Sequence, residues 1–85
     1  MSGMVQVAKN IEALIEDGGE ITLGALPPHA CAATAADASN CLAMLVRRDV
    51  ESLTALLRRL DKAIGLAWSD DVFIDEVNDG ESALL

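Results

Sequence analysis

The sequence predicts an all-α domain of three helices followed by a short acidic C-terminal segment. Three stripes of apolar residues at helical spacing predict it, one near each end of residues 1–68 and one between them. The clearest runs through Val50, Leu53, Leu57, Leu60, Ile64 and Ala67, alternating steps of three and four over nearly three heptads. The second is Met4, Val7, Ala8, Ile11, Leu14 and Ile15. The third is Cys31, Ala35, Ala38, Cys41 or Leu42, and Leu45.

The first helix is expected over Met4–Asp17. Ser2 is a candidate N-cap, and Gly18-Gly19 closes the segment because glycine takes the left-handed conformation of a helix end. Glu16 and Asp17 sit against the negative end of the helix dipole, which blurs that boundary. Glu20–Pro28 reads as a connector in which Ile21 and Leu23, alternating with Thr22, leave a short strand open. Pro27-Pro28 can then start a second helix over His29–Val46, since proline fits a first turn. Its alanine-rich first half would let another backbone approach closely.

The third helix is expected over Asp49–Trp68. Asp49 is a good N-cap, and Leu56, Ala63 and Leu66 widen the seam to the face of a bundle helix. Gly65 is its one interruption and costs about 1 kcal/mol relative to alanine. Leu53, Leu57, Leu60 and Ile64 should be its most buried residues. The organisation expected is therefore a helical domain, 1–68, and an acidic segment, 69–85. In that segment Phe73, Ile74 and Val77 would share a helix face. The alternative is a strand, with Val72 and Ile74 pointing one way and pairing with Ile21 and Leu23.

Composition restricts the function classes. The chain has 85 residues, 14 acidic and 6 basic, for a net charge of -8. Hydrophobic types reach 52%, which argues against whole-chain disorder, yet there is one Trp, one Phe and no Tyr. Alanine supplies 14 residues, so the core is thin and self-association is one remedy. No stretch reaches the roughly 20 apolar residues of a membrane span, and no basic leader region is visible, so the chain reads as cytoplasmic.

Charge is segregated. Residues 1–46 carry -4, residues 47–68 carry +2 and residues 69–85 carry -6. The basic pairs Arg47-Arg48 and Arg58-Arg59 flank the second half of the expected helical hairpin, an outline shared with DNA-reading motifs. An isoelectric point near 4.2 argues against that use. These arginines would instead pair with the acidic tail or with Asp49, Glu51 and Asp61, or simply solvate the surface. The tail residues Asp70, Asp71, Asp75 and Glu76 form a dense anionic strip that could enter a basic groove on a partner.

No chemistry-bearing constellation stands out. His29, Cys31 and Cys41 have no metal-ligand spacing, and on one helix the cysteines would be about 15 Å apart, as reduced core residues. No nucleophile elbow, phosphate loop or calcium loop is present. No catalytic residue, metal or cofactor is assigned. The function expected is a non-enzymatic protein–protein interaction module, a homodimer joined through the apolar face of Leu53, Leu57, Leu60 and Ile64 with Trp68 as an anchor. The alternatives are a small acidic inhibitor of a basic partner, of the antitoxin, immunity or nucleic-acid-mimic type, and a nucleic-acid-binding hairpin.

Overall fold

A computed structural model describes residues 8–77 and shows a four-stranded sheet with two helices. The order is α1 (Lys9–Glu16), β1 (Glu20–Leu26), β2 (His29–Ala36), β3 (Cys41–Val46), α2 (Leu53–Asp70) and β4 (Ile74–Asp75). Strands β1, β2 and β3 form an antiparallel meander. The chain then crosses over through α2 and returns as β4, parallel to β3. The sheet order is β1-β2-β3-β4.

This overturns the all-α, three-helix bundle. The segment His29–Val46 is a hairpin of two strands. Alanine favours helix, but propensity is a weak prior that tertiary pairing overrides. Two turns set the outcome. Pro27-Pro28 joins β1 to β2, with Leu26 opposite His29, and the bond between the prolines is cis. At the other end the Asp37 carboxylate accepts from the Ser39 and Asn40 amides at 2.8 and 2.6 Å, and the Asp37 amide donates to the Asn40 carbonyl. This local side-chain bonding holds a tight turn in the middle of the predicted helix.

The period-2 geometry of strands sorts the residues. Ile21, Leu23, Ala33, Ala35, Ala43, Leu45 and Ile74 share one face through their cross-strand register. Ala33, Ala35, Ala43 and Leu45 are buried in one cluster with Leu56, Leu60, Ala63, Ile64 and Ala67 of α2 and Ile11 and Leu14 of α1. The small alanines form a floor onto which the large side chains of α2 fit. Leu42 is the extra residue of a β-bulge between Ala35 and Ala36 and joins the same core. The opposite face carries Glu20, Thr22, Gly24, Thr34 and Met44, and the Thr22 and Thr34 hydroxyls are hydrogen-bonded across it.

Helix α2 starts later than predicted. Ser52, not Asp49, caps it, with its hydroxyl accepting from the Ala55 amide at 3.1 Å. Val50 lies outside the helix and is fully exposed. The buried stripe is Leu56, Leu60, Ala63, Ile64 and Ala67, rotated from the predicted seam. Leu60 and Ile64 are fully buried as expected, Leu57 is half-buried, and Leu53 is 44% exposed. The helix continues through Asp70 and ends on Asp71 in the left-handed region.

The first helix spans Lys9–Glu16 within the predicted Met4–Asp17. Ser2, Met4 and Val7 lie outside the described residues. Gly18, at φ 92°, closes the helix as glycine at that position should. Its start is capped from another element: the Asp61 carboxylate of α2 accepts from the Asn10 and Ile11 amides at 2.7 and 2.9 Å. The Asn10 side chain returns a bond to the Asp61 carbonyl at 3.0 Å. This is the favourable N-terminal position for a carboxylate, supplied across the tertiary fold.

Candidate functional site

The predicted functional residues fall into three places. The apolar set is divided: Leu60 and Ile64 face the sheet in the core and are closed to a partner, Leu57 packs partly buried against it, and Leu53 and Trp68 are about half exposed. The basic pairs do not act as pairs. Arg47, Arg48 and Arg58 are exposed, while Arg59 sits at the centre of a clamp that closes the β4 side of the sheet.

Arg59 grips two carboxylates and one carbonyl. Its Nε and one terminal nitrogen bond Glu51 at 2.7 and 2.9 Å, a bidentate fork. The other terminal nitrogen bonds Glu76 at 2.9 Å, and the Val46 carbonyl at the end of β3 accepts at 2.9 Å. Glu76 completes the circuit by accepting from the Val46 amide at 2.9 Å. Arg48 donates its amide to Glu51 at 3.1 Å, and the Arg47 side chain bonds the Glu51 carbonyl at 2.8 Å. The Arg59 fork, helped by the Arg48 amide, holds the Glu51 carboxyl down at about 2, and Glu51 in turn raises the Arg59 guanidinium. Four segments (the end of β3, the loop after it, the middle of α2 and the start of the tail) are thereby tied at one point.

The acidic strip is accordingly not one surface. Asp70 ends α2, Asp71 caps it, Asp75 lies in β4 opposite Met44, and Glu76 belongs to the clamp. The pairing of arginine with Glu51 and the tail was legible in the charge segregation, but the choice of Arg59 over its three neighbours was not.

The cysteines are not on one helix. Cys31 is half-buried near the start of β2, and Cys41 is exposed at the start of β3 opposite Ala36. Five strand positions separate Cys31 from Ala36, about 17 Å at strand rise. Both thiols are free. His29 and Cys31 face a hollow with Arg47, Arg48 and Asp49. Among the described residues no three His, Cys, Asp or Glu side chains gather in a way that could hold a metal ion. Among them, too, no helix is long and apolar enough to cross a membrane.

The short strand left open at Ile21 and Leu23 is present as β1, and what sequence reasoning missed is that it forms an edge of the sheet. Nothing among the described residues pairs with its outer side. Its register with β2 is regular from Glu20 to Gly24, then breaks at Ala25, where Gly24 takes φ 147°. Ile21 and Leu23 point to the helical side. There α2 packs chiefly on β2 and β3 and α1 lies against β1; Ile21 reaches the core, and Leu23 is left 43% exposed. The alternation of Ile21 and Leu23 was the available signal for this strand.

No family model matches the sequence, and no curated protein or solved structure matches it significantly.

Proposed function

We propose that this chain is a non-enzymatic protein-interaction module that pairs through β1 with β1 of a second copy. The observation that supports it most is the overhang: a regular edge strand whose inward apolar residue, Leu23, extends beyond its own helical layer. A bare edge is a template for strand addition unless it is blunted by charge, proline or brevity.

The strand is self-complementary in one antiparallel register. With a two-fold axis at Thr22, Ile21 lies opposite Leu23 of the second copy, and Leu23 opposite its Ile21. Both pairs fall on the helical side. Glu20, the single charge of β1, lies opposite Gly24 rather than opposite another carboxylate. The same residues satisfy both copies, as an isologous interface requires. The joined sheet would have eight strands, and the remaining acidic residues lie off the shared strand. Self-association thus moves from the predicted helical seam, whose Leu60 and Ile64 are core, to the sheet edge.

Light scattering after size exclusion tests this. The native chain is expected at twice its 8.9 kDa mass at micromolar concentration, with little change between low and high salt. Leu23→Lys is expected to give a folded monomer, and Glu20→Lys to remain a dimer. A native chain that is monomeric at 100 μM, on the order of weak-interface concentrations, would remove the proposal. Dimers that dissociate with salt would point instead to an electrostatic interface.

A further inference from the structure

We propose that the cleft between α2 and the parallel β3–β4 pair binds a small carboxylate with an apolar tail. The cleft has a volume of about 290 Å³. Leu45, Ala63, Leu66 and Ile74 supply its apolar lining. The cleft lies beside Leu45 near the end of β3 and Glu76, the residue after β4. The proposal is independent of the β1 pairing, which lies at the opposite edge of the sheet.

Charge selects the ligand. Arg48, Arg59, Lys62 and Glu76 also line the cleft. Arg59 and Glu76 are committed to each other, and Arg59 further to Glu51. Among the described residues neither Arg48 nor Lys62 forms an ion pair, although the Arg48 charge helps lower Glu51. The lining therefore carries a net positive charge within a chain of net -8. A cationic spot beside an apolar pocket matches an amphiphilic anion. The Arg48 guanidinium and the Lys62 ammonium take the carboxylate, and the aliphatic lining takes the tail.

Octanoate, below its micelle concentration, is the probe, monitored by amide chemical shifts in the folded native chain. Shifts are expected to concentrate at Leu45, Lys62, Ala63, Leu66 and Ile74. Lys62→Gln and Arg48→Gln should each weaken binding about three- to tenfold, the range of a partly exposed charge contact, and Lys62→Glu should weaken it further. Arg58→Gln, on the same helix but outside the cleft, should leave affinity unchanged. Octanol tests the charge and acetate tests the tail; each should bind at least about tenfold more weakly. No shifts, shifts centred elsewhere, equal affinity for octanol, or unchanged affinity in folded Lys62→Glu would each overturn the site.

Discussion

The two edges of this sheet are finished in opposite ways. At the β4 edge the strand is only two residues long, and the chain just beyond it is fastened by Glu76 to Arg59 and to the Val46 amide. Brevity and charge are devices that keep an edge from pairing. At the β1 edge the strand has seven residues, one charge, and an apolar side chain overhanging the helical layer. One edge is closed by a built clamp and the other is left in a state that strand addition would complete. A thin, alanine-rich core therefore does not have to be sealed within one chain. A second copy could cover what α2 does not reach.

The contrast between the edges should vanish when the element they share is removed. Leu60 is fully buried between α2 and the sheet, so Leu60→Ala should cost about 2–5 kcal/mol in urea unfolding and release both edges. A loss well under about 1 kcal/mol would show that the helical layer does not anchor the sheet. Arg59→Ala should act on one edge only. Losing four hydrogen bonds to charged or carbonyl partners should cost about 1.5–3 kcal/mol and speed amide exchange at residues 74–77, while β1 keeps its behaviour. Equal loosening of β1 would mean the two edges are not independent.

Acid should also separate the clamped edge from the open one. Glu51 titrates at about 2 in the folded chain against 4.5 ordinarily, so it binds its proton less readily folded than unfolded. Its contribution is complete above the unfolded value and fades as pH falls from about 5 toward 2. Glu51→Gln should flatten that part of the stability–pH curve, read by thermal unfolding across the range, and an unchanged curve would remove Glu51 from the clamp's energetics. The smallest effect concerns Gly65. Helix propensity alone predicts a gain of about 1 kcal/mol for Gly65→Ala. A Cβ there would stand 2.8 Å from the Asn10 side-chain nitrogen Nδ2, which bonds the Asp61 carbonyl, so the gain should be cancelled or reversed in urea unfolding.

Some of this was legible in the residues and some was not. Helix α2 was visible because its apolar stripe is long and periodic, though it is capped at Ser52 rather than Asp49 and buries the Leu56 and Ala63 side of the stripe more fully than Leu53 and Leu57. The first helix and its glycine closure were visible for the same reason. The β2–β3 hairpin was not: its run of alanines mimics a helix, and the role of Ala33, Ala35 and Ala43 is to be small beneath α2. The Asp37-Ala38-Ser39-Asn40 turn carried the counter-signal, local carboxylate bonding that interrupts a helix. For the site, charge segregation pointed to arginine–tail pairing. Only the fold could choose Arg59 and Glu76, which lie 17 positions apart in sequence and meet through the crossover. The open edge was hidden because edge status depends on strand order, which no local pattern records.

Whether β1 pairs with a second copy can be read from amide hydrogen exchange along that strand, residue by residue, at a low and a high protein concentration. Alternate amides of an antiparallel edge strand point away from β2. If a second copy pairs there, those of Glu20–Gly24 that point outward are protected at high concentration and exchange freely on dilution, while the amides around Glu76 do not change. Outward β1 amides that exchange freely at both concentrations would contradict pairing through this edge.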